Sequence, residues 1–270
     1  MSAVRPANPK IITIADYQEF LVGQQNEPGG RFAIDWSKSG AVDYSGFVPS
    51  NRSAGGLELT TSLQYACCGK SAFTEAGRRV ILHAGVQNAP SNPRENAFSL
   101  ARDAVFDGRG FLRQSYVPEL AVLRRQHWPL KRHSVGAAPM LLPPQGNQLE
   151  IKARLLSGGK VEWGVVVFGS ADLAQGCRVG FNAHHFFVDR TRSGDPSRVA
   201  ERDVRAGPLP RSTAEQWVHI FADRSIISVI ASNETAITVW THPVNGSTHV
   251  GLFSVGGAEV ELEAWEMGGI

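Results

Sequence analysis

Hydrophobic and polar residues alternate along most of the second half of this chain. In the segment 217–233, WVHIFADRSIISVIASN, Val218, Ile220 and Ala222 point one way and His219, Phe221 and Asp223 the other, the two-residue period of a strand. Arg224-Ser225 leaves room only for a tight connection before the β-branched run Ile226, Ile227, Val229 and Ile230, so the pair predicts a hairpin in an all-β core. Asp and Ser at such a turn bond nearby backbone amides. The Asp223 carboxylate is therefore expected to accept hydrogen bonds from turn amides, from Arg224 or from Arg190, and to set the register of the hairpin. From Leu149 onward the alternation is regular through LEIKARLLS, EWGVVVFGS, CRVGFN, HHFFVDR, WVHIFAD, SIISVIAS, AITVWTH, THVGLFS and AEVELEAWE. Nine such strands are enough for two packed antiparallel sheets. Trp163, Phe168, Phe187, Trp217, Phe221 and Trp265 sit within these patterns and are expected in the core rather than as ligand platforms.

The first hundred residues hold shorter strand candidates, IITIA, EFLVG, RFAIDW, SGFVP, LELTTSLQYA and RRVILHAG, separated by turn residues such as Gly29-Gly30 and Gly55-Gly56. They predict antiparallel blades or hairpins, none closed by itself. Val117, Leu120, Ala121 and Arg124 then fall at helical spacing, and Pro118 suits a first helical turn. The stretch 128–148 carries Pro129, Pro139, Pro143 and Pro144 and is expected as an extended connector. With 42% hydrophobic and 19% charged residues, 270 residues can bury one large core or two modest ones. The net charge of +2 is not gathered into any basic run, which argues against nucleic acid or an anionic membrane as partner. The apolar run Ile11–Ile14 is too short for a signal-peptide core or a span, so a cytoplasmic location is the default expectation. Cys67 and Cys68 are adjacent, Cys177 is distant, and no spacing suggests zinc.

Three features in order carry a resemblance: FFVDRTRSG at 186–194, HIFADRSIISVIASN at 219–233, and VGLFSVGGAEVELEAWEM at 250–267. They resemble the C-terminal β-sandwich of glycoside hydrolase family 32, the invertases and fructan hydrolases. That module has two Asp-Arg-Ser/Thr turns and a Gly-Gly turn before its last strand, which makes Asp189, Arg190, Asp223 and Arg224 structural turn residues. Upstream, Asn92-Pro93-Arg94-Glu95, Gly110 to Gln114 and Pro118-Glu119-Leu120 through Leu123-Arg124 are similar to the segment that links the family's five-bladed propeller to its sandwich. Val22-Gly23, Phe32, Asp43-Tyr44 and Gly77 to Ile81 are similar to the end of the propeller itself. The resemblance implies an all-β protein with a propeller remnant at 1–113, a helical turn and connector at 114–148, and the sandwich at 149–270.

The same resemblance implies a lineage that hydrolyses β-fructosidic bonds in sucrose or fructans. Retaining hydrolysis needs two carboxylates roughly 5 Å apart, a nucleophile and an acid/base. In the family they lie in a W-x-N-D-P-N-G-type segment and an E-C segment, with a stabilising Asp in R-D-P. None of these segments occurs in the 270 residues. No catalytic residue is therefore assigned, and the chain is expected to be inactive alone. Asp43 could be a remnant of the sugar pocket's wall, or simply a turn residue before Tyr44. His83 and Ala84 replace the family's Gly and Trp, removing a stacking surface. Asp35, Glu58 and Glu75 lack any pattern that would tune a carboxylate. His184 and His185, as strand neighbours, point to opposite faces and lack a third ligand, so no metal and no cofactor is expected. The partners to consider are a fructose-containing oligosaccharide, a propeller segment supplied from elsewhere, or a second copy of the chain. The rival class is a non-catalytic carbohydrate-binding or assembly module.

Overall fold

The computed structural model describes residues 69–268 apart from 76, 84–85, 88–95, 98, 107–111, 160–161, 196, 198–201, 210–214 and 245. Asp43, Cys67, Cys68 and the strand candidates before residue 69 lie outside the described residues. The chain divides into two compact units, Met1–Val117 and Pro118–Ile270. The described residues of both form antiparallel sheets, which confirms the all-β expectation.

In the first unit the described strands are β1 (Gly69–Phe73), β2 (Arg79–His83), β3 (Val86–Gln87), β4 (Asn96–Ala97), β5 (Arg102–Phe106) and β6 (Leu112–Tyr116). Four of them form one antiparallel sheet in the order β1-β2-β5-β6, the size of a single propeller blade. Ile81 and Ala104 are buried within it, and Arg78 pairs with Asp103 at 3.1 Å.

The second unit opens with a 3-10 turn, Pro118–Leu123, in the place where helical spacing was read. Twelve strands follow: β7 (Arg124–Val135), β8 (Met140–Gln145), β9 (Gln148–Gly158), β10 (Glu162–Gly169), β11 (Cys177–Asn182), β12 (His185–Asp189), β13 (Val204–Pro208), β14 (Trp217–Asp223), β15 (Ile226–Ala231), β16 (Thr235–Trp240), β17 (His249–Val255) and β18 (Ala258–Met267). They form two six-stranded sheets, β13-β12-β11-β10-β17-β8 and β16-β15-β14-β9-β18-β7. The nine segments read from alternation are all strands. The stretch expected as a connector is not one: it supplies β7 and β8, each the last strand of its sheet. Proline explains the misreading, since it removes a ladder donor yet is tolerated where one strand edge stays unpaired.

Burial follows the period-two pattern. In the second sheet Leu149, Ile151 and Ala153 lie in register with Ala222, Ile220 and Val218 and with Ala264 and Leu262, and all are buried. In the first sheet Trp163 stacks on Phe181 at 5.5 Å, Phe181 packs on Phe186 at 5.2 Å, and all three are buried. Burying each such side chain contributes about 1.5–3 kcal/mol, which makes these two inner faces the main source of stability. Trp163 also donates its indole N–H to Gln216 at 2.6 Å, so the largest core side chain keeps its one polar atom satisfied.

Glycine sets two close approaches. Gly164 and Gly180 face each other across β10 and β11, and a Cβ on Gly164 would lie 2.2 Å from the Val179 carbonyl and 2.7 Å from the Phe253 ring. The Phe253 ring thus rests on bare backbone. The two Gly-Gly pairs, Gly158-Gly159 and Gly256-Gly257, meet where β9 ends beside the β17–β18 turn, with Gly159 N–H donating to Gly257 O at 2.9 Å. Gly158 has φ +77°, and a Cβ there would stand 2.6 Å from the Gly257 carbonyl oxygen. Gly158→Ala is therefore expected to cost about 2 kcal/mol or more through combined strain and overlap. Gly246→Ala, at φ +84° with nothing near its Cβ, provides the strain-only comparison at about 1 kcal/mol. Urea melts of the two variants test this, and a Gly158→Ala midpoint no lower than that of Gly246→Ala would disprove the backbone contact's role.

Candidate functional site

The outer face of the second sheet carries the densest set of charged and aromatic side chains among the described residues. Alternation puts Glu150, Lys152 and Arg154 of β9 on this face, beside His219 and Phe221 of β14 and Glu261, Glu263 and Trp265 of β18. Arg124, the first residue of β7, completes the group. Its guanidinium makes two parallel bonds to Glu150, Nε to Oε2 at 2.7 Å and Nη2 to Oε1 at 2.6 Å, the fork geometry that binds a carboxylate most strongly. His219 Nε2 lies 2.8 Å from Glu150 Oε1, and Lys152 Nζ lies 3.8 Å away. Trp265 lies against the cations, with Arg124 at 3.8 Å and Lys152 at 5.2 Å from its ring centre and His127 stacked on it at 4.9 Å. His127 bonds Glu263 at 2.9 Å, and Arg154 bonds Glu261 at 2.9 Å.

The electrostatics follow from that crowding. Only 2% of the Glu150 side chain is exposed. Burial by itself would raise its pKa, but hydrogen bonds from Arg124 and His219, together with their charges, outweigh burial and hold it at about 2. Burial lowers the pKa of His219 from its ordinary 6.5, against the pull of Glu150. Arg124 is raised by its bond to Glu150. A carboxylate so strongly ionised, with both oxygens engaged, cannot give a proton at neutral pH and is not free to attack a substrate. Its chemistry is that of a fastener joining β7, β9 and β14.

The residues singled out from sequence fall elsewhere, and the two Asp-Arg turns differ. Asp189 Oδ1 accepts from Thr191 N–H at 2.8 Å and from its hydroxyl at 2.6 Å, closing a local turn. Arg190 is buried; it pairs with Asp203 through Nε at 3.1 Å and through Nη2, and donates from Nη1 to the Trp240 carbonyl at 2.8 Å. Since Trp240 ends β16 of the other sheet, Arg190 ties the two sheets together at that end. In the second turn Asp223 is exposed, and its carboxylate accepts from the Gln148 side chain at 3.0 Å rather than from turn amides or an arginine. Arg224 is also exposed; it adopts φ +53° and donates its backbone N–H to Asn147 O at 2.6 Å. The expected role for the Asp223 side chain is thereby corrected: register rests on backbone bonds. Asn182 Oδ1 accepts from the backbone N–H of His184 and of His185, so these neighbours belong to a turn, and no cluster of metal-ligating side chains occurs among the described residues. Cys177 is buried with its thiol pK pushed up by burial, an inert side chain. Phe187, Phe221 and Trp265 are buried as expected, but on outer sheet faces. Sequence reasoning missed the Arg124–Glu150 pair because its members lie 26 residues apart. The signal available was a glutamate at the head of an alternating charged face, Glu150, Lys152 and Arg154, at the one of these positions that is buried.

Two six-stranded antiparallel sheets packed into a sandwich define the class of this domain. The model of the family described as glycosyl hydrolases family 32 C terminal matches residues 119–266, and the chain belongs to that family. Among solved structures the chain is similar to an exo-inulinase from Aspergillus awamori, at 21% identity and TM-score 0.65 over 75% of this chain and 43% of that one. It is also similar to fructan 1-exohydrolase IIa from Cichorium intybus, at 19% identity and TM-score 0.66 over 76% of this chain and 48% of that one. For the sucrose-6-phosphate hydrolase from Lactobacillus gasseri the values are 17% identity and TM-score 0.59, over 75% and 41%. At these identities the likeness is one of fold, and the chain spans less than half the length of each. No curated protein sequence matches it significantly.

Two predictions follow from the ion pairs. Arg190→Ala removes donors from Asp203 and from the Trp240 carbonyl and is expected to cost about 1–3 kcal/mol. Asp223→Ala, at an exposed site, is expected to cost under about 0.5 kcal/mol. Denaturant midpoints of the two variants test the contrast, and equal losses would refute the distinction between the turns. The second prediction concerns acid. Glu150 is depressed from 4.5 to about 2, so its stabilisation is complete above pH 4.5 and is lost as pH falls towards 2. His219, also depressed, has its stabilisation complete above 6.5 and lost as pH falls below that value. Stability should therefore decline on acidification, with the lower stage absent in Glu150→Gln. The stability gap between wild type and Glu150→Gln should narrow between pH 4.5 and 2, and a constant gap would disconnect Glu150 ionisation from folding.

Proposed function

We propose that this chain is a non-catalytic part of a β-fructosidase system, belonging to a lineage that cleaves β-fructosidic bonds in sucrose or fructans, and that alone it does not hydrolyse them. The observation that carries this reading is that the sequence holds none of the W-x-N-D-P, R-D-P or E-C segments in which the family it resembles carries its catalytic carboxylates. Glu150 is no substitute, because Arg124 and His219 drive it towards ionisation, the opposite of what a general acid needs. Membership of the C-terminal family supplies the lineage. A fructose-containing oligosaccharide is thus the substrate class of the complete catalytic assembly, and the sandwich contributes folding stability to it. A sugar-binding role for the sandwich draws little support from its outer face, since Trp265 is covered by Arg124, His127 and Lys152 instead of offering an open platform.

The purified chain, incubated with sucrose and with inulin, is expected to release no fructose above a protein-free blank. A rate that follows the protein through successive purification steps and falls when a carboxylate of this chain is replaced by its amide would overturn the proposal.

A further inference from the structure

At one end of the sandwich the two sheets finish in β7 and β8, and a cleft of about 220 Å³ opens between these strands. Trp128 and Pro129 of β7, Leu142 and Pro144 of β8, and Leu262 of β18 line it. Two residues with polar side chains, Lys131 and His133, also line the cleft, and no Asp or Glu does. Lys131 is exposed and His133 half-buried, so the lysine on the cleft's lining remains in reach of solvent. Burial, and then the neighbouring Lys131, lower the pKa of His133, which leaves Lys131 as the charge and His133 as a neutral hydrogen-bonding group.

The occupant can be narrowed by exclusion. An added β-strand is disfavoured, because the prolines of β7 and β8 lack ladder donors. A sugar fits poorly, since its hydroxyls would leave water for a wall offering Lys131, His133 and one indole N–H. The cleft is smaller than a typical drug-sized site, so the ligand is small. What remains is an apolar body with one negative charge.

We propose that the β7–β8 cleft binds a small amphiphilic anion, a carboxylate on a medium-length aliphatic chain, with the chain against Trp128, Leu142, Pro144 and Leu262 and the carboxylate at Lys131. Titration calorimetry of the full chain with decanoate, decyltrimethylammonium and the fructo-oligosaccharide nystose tests it. Decanoate is expected to saturate one site and to bind about fivefold tighter than the cationic analogue, the worth of one part-exposed ion pair. Nystose should not compete. Lys131→Gln should abolish the preference between head groups, and Lys131→Glu should reverse it. Because Lys131 is exposed, both variants are expected to fold, and circular dichroism confirms this before titration. Absence of saturable decanoate binding, equal affinity for the two head groups in the wild type, displacement by nystose, or head-group preference unchanged in Lys131→Gln would each overturn the assignment.

Discussion

A carboxylate almost wholly removed from water must be paired, and in this sandwich that requirement falls on Glu150. Its oxygens are met by Arg124 from β7 and His219 from β14, while Trp265 from β18 lies against the Arg124 guanidinium. Four adjacent strands thus send one side chain each to a single point. Slipping any of them by one residue would turn its contribution to the opposite face of the sheet and leave the charge unpaired. The apolar inner face makes the sandwich stable, and the buried charge on the outer face fixes which register is stable.

Much of the fold was legible because alternation is a local signal. The nine segments are rich in β-branched and alternating apolar positions, and each became a strand, although β10, β15 and β16 are buried on both faces. The three strands of the sandwich that sequence reasoning did not find, β7, β8 and β13, share a physical cause. Each is the last strand of a sheet, and each contains proline: Pro129, Pro143 with Pro144, and Pro208. A proline inside a run reads as a break unless the strand's outer edge is known to be free, and that is a property of the assembled sheet. The edges so marked are also protected from pairing with other chains. Only β16, TAITVW, ends a sheet of the sandwich without proline.

The charged network was less legible for a different reason. Arg124 could be placed by its position after the helical turn, and Glu150 by its place in a strand, but nothing local says that they meet. Pairing across 26 residues is settled by the strand order, in which β18 lies between β7 and β9. The aromatic residues show the same limit: burial of Phe187, Phe221 and Trp265 follows from their hydrophobicity, whereas the face they occupy follows from register.

The two Asp-Arg turns show how far a motif underdetermines its physics. Both place an aspartate at the end of a strand, yet Asp189 closes its own turn by accepting from Thr191, while Asp223 reaches across to Gln148. The arginines diverge further. Arg190 is buried at the rim of one sheet and donates to the last residue of a strand in the other, so its charge had to be matched by Asp203. Arg224 needs no such partner, because its turn is exposed and its place is held by a backbone bond to Asn147. What separates the two is the depth at which the turn meets the rest of the sandwich. A guanidinium carried to the junction of two sheets becomes an inter-sheet tie with an obligatory counter-ion, and the same residue on a hairpin tip stays solvated and contributes only the left-handed backbone the turn requires.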